Sequence, residues 1–208
     1  MINHKLKAIF IHVPKCGGTS VECVLQNESF VYQQHYHTPH SELNENHGNY
    51  FKFAFVRNPY DKLVSEYKWF TNNKHKYPRK QVKDFYKDVD FKTFLKIFTN
   101  WSESKSNHDP NKGDYYHGLD YMQILQPIDQ INFIGRFENL QQDFDTVCDK
   151  IGIDKQQLPH KNKTKHKHYT EYYDDETRKI VRENTQKILK CLGINLESEN
   201  IIYKIVSP

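Results

Sequence analysis

The sequence predicts a single α/β domain over residues 1–208, a parallel sheet flanked by helices. Three observations carry this. Short apolar runs alternate along the chain with amphipathic ones. Each of the first two apolar runs ends in a turn that carries a helix-start signal. The chain, at 208 residues with 37% hydrophobic and 14% aromatic side chains, is long and apolar enough for one sizeable core.

The elements follow in order. Residues 7–13, KAIFIHV, form a short continuous apolar run and predict a buried strand. Pro14 to Gly18 forms a loop, and Thr19 is placed to cap a helix running to about Leu25. FKFAFV at 51–56 predicts a second buried strand. Asn58-Pro59 then sets a turn with Pro at a helix start, and Leu63, Val64, Tyr67 and Phe70 share one side of that helix. Residues 72–90 are polar and Lys-rich, FKTFLKIF at 91–98 reads as an amphipathic helix, and the polar stretch 99–118 as a loop or lid. INFIG at 131–135 predicts a third strand. The helix after it carries Leu140, Phe144, Val147, Cys148 and Ile151 on one face. The last helix, 174–194, begins acidic and ends Lys-rich, as the helix dipole favours. There is no internal repeat and no linker composition.

Composition excludes several classes. Eight Gly and eight Pro rule out collagen-like and linker-like chains, and the apolar content rules out disorder. The longest apolar run near the start, Ala8 to Ile11, is far short of the ~20 residues of a membrane span. It is also too short for a secretory leader. A cytoplasmic location is the expectation, with no stable membrane insertion. Cys16, Cys23, Cys148 and Cys191 make no C-x-x-C pair, and reduced thiols are expected. The net charge of +4 suits an anionic ligand without calling for nucleic acid. Of the 30 basic residues only five are Arg, and two of them, Arg57 and Arg136, follow strand-like runs.

The chemistry concentrates in two motifs. Pro14-Lys15-Cys16-Gly17-Gly18-Thr19-Ser20 lies between a buried strand and a helix. That placement gathers backbone N–H groups and the positive helix end at one point. Gly17 and Gly18 allow an anion close to the backbone, Thr19 and Ser20 add hydroxyls, and Lys15 adds a mobile charge. The combination is a phosphate or sulfate cradle. It is not a Walker A loop, because the Lys precedes the glycines. The plain alternative is a βα turn with a capped helix, but a Gly pair alone would serve that. The second motif, FVRNPYDKLVSEY, puts Arg57 at a strand end and Ser65 a little over two helical turns on, where both can face one edge. An Arg fork with a hydroxyl suits a second phosphate. The alternative is an Arg57 ion pair with Asp61 or Glu66.

IFIHVPKCGGTSVE resembles the 5′-phosphosulfate loop of the sulfotransferases, and FKFAFVRNPYDKLVSEY resembles their 3′-phosphate motif. FIGRFENLQQDF and LPHKNKTKHKHY are similar to later segments of that family. The nearest group is the carbohydrate type, with heparan sulfate 2-O-sulfotransferases and small bacterial relatives. The resemblance implies a P-loop-like parallel sheet flanked by helices, 3′-phosphoadenosine 5′-phosphosulfate as co-substrate, and no metal. By position it puts Lys15 on the bridging oxygen and sulfuryl group, and the 5′-phosphate in the loop of Cys16, Gly17, Gly18, Thr19 and Ser20. It puts the 3′-phosphate on Arg57 and Ser65, and closes the basic loop at Lys161, Asn162 and Lys163 over the nucleotide. The chain is shorter than the Golgi members, lacks their membrane anchor, and does not show the family's usual ending.

QHYHTPHSEL at 34–43 brings His35, His37 and His40 between the two motifs, where the family carries its catalytic His. His37, with Glu42 five residues on, fits that spacing and ranks first as the base, ahead of His40, His35 and then Glu42. Imidazole suits the role because it titrates near neutrality. The competing readings are a solvated loop in a chain of twelve His and a zinc site across the three rings, which no carboxylate–histidine pattern supports. Arg136 either reaches the nucleotide or pairs with Glu138. The aromatics at 85–98 and 115–121 suit core packing before a sugar face. The basic run HKNKTKHKH carries no groove-reading or stacking motif.

The sequence therefore implies an enzyme moving a sulfuryl group in line from the phosphosulfate nucleotide to a hydroxyl of an acceptor, a saccharide by resemblance, with His37 and Lys15 as its catalytic residues. The rivals are a nucleotide or small-molecule kinase, against which the missing Walker A stands, and a nucleotide-binding module without catalysis.

Overall fold

A computed structural model describes residues 1–32, 47–71, 86–101, 124–125, 128–161 and 167–191, with the side chains of 98–101 and 187–191 excepted. The predicted base region 34–43, residues 102–118 of the stretch 99–118 read as a loop or lid, and Asn162 and Lys163 lie outside these residues; residues 99–101 of that stretch instead continue the helix begun at Phe91. The chain divides into two compact units.

The first unit comprises 1–58, 121–163 and 200–208 and contains a four-stranded sheet of order β1-β2-β3-β4. Strands β2 (Ala8–Ile11), β3 (Phe51–Val56) and β4 (Phe133–Arg136) run parallel, with Ala8 opposite Phe51 and Phe53 opposite Phe133. Parallel neighbours on both sides explain why five of the six β3 residues are buried and why all but Lys52 are apolar. Phe10 stacks on Phe53 at 5.3 Å between centroids, and Phe55 closes on Phe53 at 6.3 Å, so the centre of the sheet is an aromatic seam. The edge strand β1 (Ile2–Asn3) pairs antiparallel with β2. Two residues carry no periodicity, so β1 was not visible in the sequence.

Helix α1 (Gly18–Asn27) follows β2. The structure corrects the expected cap: Gly17, not Thr19, is the N-cap, at φ 79° and ψ 4°, with no side-chain capping bond. Thr19 lies inside the first turn. The left-handed conformation is open to Gly without strain and lets the chain leave the strand and enter the helix within one turn. A single 3-10 turn at Phe137–Asn139 follows β4 and leads into a further helix.

The second unit comprises 59–120 and 164–199. Helix α2 (Pro59–Thr71) opens on its Pro, as expected. Its buried side includes Leu63, Val64 and Phe70, and also Lys62 and Glu66, a fully buried i,i+4 ion pair. Asp90 caps α3 (Phe91–Trp101) by accepting the Thr93 N–H at 2.8 Å, and this bond holds the Asp90 carboxyl below the usual carboxylate range.

In the first unit, α4 (Leu140–Ile151) buries Phe144, Val147, Cys148 and Ile151 at helical spacing and packs on β4 and β3. It stops at Gly152, φ 75°, whose N–H bonds to the Cys148 carbonyl at 2.9 Å. In the second unit, Asp174 and Thr177 exchange backbone-to-side-chain bonds of 2.8 Å each way, a reciprocal cap for α5 (Asp175–Cys191). Lys92 on α3 pairs with Glu176 on α5.

Candidate anion site at the carboxyl edge of the sheet

Because β2, β3 and β4 are parallel, the residues after Ile11, Val56 and Arg136 emerge at one edge, where ligands bind in open α/β sheets. The edge holds the PKCGGTS loop, Arg57 and Phe137. The loop is built by two left-handed residues, Lys15 at φ 63° and Gly17 at φ 79°. For Lys15 this is a sparsely populated conformation, of the kind concentrated at ligand clamps.

Both glycines are required by packing. A Cβ on Gly17 would stand 2.6 Å from Leu140 Cδ2, and one on Gly18 2.2 Å from His12 Nε2. The start of α1 is thus pressed between the start of α4 and the end of β2. The first turn of α1 contains no acidic residue to compete with an anion at its positive end. The turn itself is closed by the Ser20 N–H, which bonds to the Gly17 carbonyl at 3.0 Å.

Arg57 is 7% exposed. Its guanidinium donates to the Lys15 carbonyl at 3.2 Å and lies 4.0 Å over the Phe137 ring. A ring face and a carbonyl orient the fork, a geometry that a Lys would not reproduce. The next residue is fixed as well: the Asn58 N–H donates to Glu138 Oε1 at 2.7 Å. The Arg136 N–H donates to Asp143 Oδ2 at 2.5 Å. Glu66, a candidate partner for Arg57, pairs with Lys62.

The predicted residues therefore sort as follows. Lys15, Gly17, Gly18, Thr19, Ser20 and Arg57 come together in one unit. Lys161 joins them, its N–H donating to Ser20 Oγ at 3.3 Å. Cys16 sits in the same loop, but its thiol turns inward, 1% exposed, and donates to the Pro14 carbonyl at 3.4 Å. It can offer a ligand only its backbone. Ser65 is buried on α2, in the second unit. His37, His35, His40, Glu42, Asn162 and Lys163 lie outside the described residues. Sequence reasoning passed over His12 and Glu22, which form a buried pair beside the loop with His12 Nδ1–H donating to Glu22 Oε1 at 2.7 Å. A His at a strand end directly before a Gly-rich loop, with a Glu one turn past the second Gly, was the available signal.

The model of the sulfotransferase family matches residues 1–205, and the chain belongs to that family. A relative from Archaeoglobus fulgidus, an uncharacterized protein, is 30% identical over 108 residues, half of this chain and 69% of the relative. Two solved structures are similar at lower identity. Mouse sulfotransferase SULT7A1 complexed with PAP is 16% identical, with a TM-score of 0.45 over 91% of this chain and 67% of that one. Retinol dehydratase in complex with androsterone and the inactive cofactor PAP is 17% identical, with a TM-score of 0.33 over 90% and 64%. The chain thus spans about two thirds of each relative's length. Among the described residues no helix is long and apolar enough to cross a membrane.

Proposed function

We propose that this protein transfers the sulfuryl group of 3′-phosphoadenosine 5′-phosphosulfate to a hydroxyl of a saccharide. The observation that carries the reading is the convergence of Lys15, the uncapped α1 N-terminus and Arg57 at one sheet edge, linked by the Arg57–Lys15 carbonyl bond. Family membership supports the reaction class. The saccharide rests on the resemblance to carbohydrate-type members. The match across 1–205 also supports treating the two compact units as one functional domain, and the polar composition supports a cytoplasmic location.

In this reading the nucleotide's 5′-phosphate lies on the first turn of α1, from Gly17 to Ser20. Lys15 offsets charge that develops on the bridging oxygen as the S–O bond breaks, and its benefit is therefore largest in the transition state. Arg57, with Ser65, takes the 3′-phosphate. Lys161 stands at the loop's rim, and Asn162 and Lys163 follow it over the nucleotide. His37 takes the proton of the attacking hydroxyl. The electron pair of the S–O bond leaves with the phosphate, and the products are the sulfate ester and 3′-phosphoadenosine 5′-phosphate.

The test is turnover with the labelled phosphosulfate donor against a panel of saccharides and of simple phenols and alcohols. Label in a saccharide is the expected result. Transfer to phenols alone would overturn the acceptor class. No donor binding by calorimetry would overturn the whole reading.

A further inference from the structure

We propose that His12 and Glu22 are positioning residues for the anion-binding loop, a buried pair that holds the first turn of α1 in its binding geometry. The proposal rests on the reading above for the identity of the anion, and on the geometry of the pair for the rest. His12 is the residue after β2 and is 6% exposed; Glu22 lies on α1, one turn past Gly18, and is 2% exposed. Their 2.7 Å bond ties the strand end to the helix and spans the whole loop between them. Two of its neighbours fix the imidazole. Glu22 fixes Nδ1, and the Phe10 ring stacks on it at 5.8 Å and 24°. A ring so fixed presents its far edge to Gly18. Nε2, Cδ2 and Cε1 would all lie within 2.2–2.7 Å of a Cβ there. The ring thus forms the floor on which the first helical peptide rests.

Energetics argue against a purely stabilising role. Glu22 Oε2 is buried with no hydrogen-bond partner. A buried carboxylate with one oxygen unsatisfied costs stability, and apolar replacement of a buried ionic pair is often neutral or stabilising. The feature that the pair supplies and an apolar pair would not is direction: a charged hydrogen bond that fixes both the ring plane and the second turn of α1.

The experiment compares the parent with His12→Phe/Glu22→Leu, which keeps bulk and removes the bond, and with Glu22→Gln, which keeps an acceptor. Thermal unfolding, calorimetric titration with 3′-phosphoadenosine 5′-phosphate and amide hydrogen exchange of the unliganded proteins are measured on each. The double variant is expected to melt no lower than the parent, to bind the nucleotide about 10- to 100-fold more weakly, the scale of one charged hydrogen bond, and to exchange the amides of Gly18 to Ser20 faster by a similar factor while β3 is unchanged. Glu22→Gln is expected to recover most of both losses. A double variant that binds and exchanges like the parent would overturn the proposal. So would a loss of melting temperature with unchanged binding by the folded protein, which marks a structural pair. If the parent itself binds no nucleotide, the donor reading fails, and the exchange measurement alone decides the role of the pair.

Discussion

The Arg57 guanidinium donates to the Lys15 carbonyl at 3.2 Å, across 42 positions of sequence. The bond joins the two motifs into one site and makes the side chain that is proposed to take the 3′-phosphate also a brace for the loop proposed to take the 5′-phosphate. Arg57 stands in reach of the loop because β2 and β3 are parallel neighbours in register.

Arg57→Ala is expected to remove most of the preference for 3′-phosphoadenosine 5′-phosphate over adenosine 5′-phosphate. A charge-assisted bond of about 1.5–3 kcal/mol corresponds to a preference of roughly 10- to 100-fold. Arg57→Lys should recover little of it, since an ammonium neither stacks flat on Phe137 nor forks. Calorimetry with both nucleotides measures the difference. Equal affinities for the two nucleotides in the parent would remove Arg57 from the 3′-phosphate.

Lys15 sits at φ 63°, so Lys15→Gly keeps the loop's conformation while deleting the amine. Its melting temperature should match the parent or exceed it slightly. Turnover should fall far more than nucleotide affinity, the signature of an interaction made in the transition state. Parallel losses of binding and turnover would make Lys15 a binding residue only.

Gly18→Ala drives a Cβ into the fixed His12 ring, and Gly17→Ala adds a clash with Leu140 to a left-handed backbone. Urea unfolding should show both variants destabilised by about 1–3 kcal/mol, the range for overpacking, with Gly17→Ala the worse of the two. An unchanged urea midpoint for Gly18→Ala would mean that the His12 ring yields.

The Lys62–Glu66 pair predicts a non-additive result. Lys62→Met strands a buried carboxylate and should cost roughly 3–5 kcal/mol, whereas Lys62→Met/Glu66→Leu should lie near the parent or above it. A double-mutant cycle by chemical denaturation tests this. Additive single losses would show that the two charges do not depend on each other.

His37→Ala should leave nucleotide binding nearly intact and lower turnover by about 10²–10⁴, the scale of losing a general base. His40→Ala and His35→Ala serve as comparisons. A larger loss in His40→Ala would move the proton transfer to that ring, and metal bound across the three would replace it.

The sequence determined the local choices. FKFAFV is apolar at every position but Lys52, which suits a strand with sheet on both sides, and its observed limits match the predicted ones. PKCGGTS between a strand and a helix pointed to the candidate anion loop, because two glycines, a Lys and two hydroxyls have few other common uses at such a turn. The spacing of Phe144, Val147, Cys148 and Ile151 gave the buried face of α4. These features are legible because propensity, periodicity and turn chemistry act over a few residues.

Only the tertiary structure decided which distant groups meet. Gly17 rather than Thr19 caps α1, and Leu140 and Phe137, distant in sequence, leave no room there for a side chain. The Arg57–Lys15 bond, the Glu138 bond to the Asn58 N–H, and the inward turn of Cys16 depend likewise on strand order and register. The burial of Lys62 with Glu66 is not legible in the sequence, since two charges can leave water together only when folding brings each to neutralise the other. His12 and Glu22 looked unremarkable ten positions apart. Folding the strand into the sheet and the helix back over it brought them within one hydrogen bond, and long-range closure of that kind is not written in any short stretch of chain.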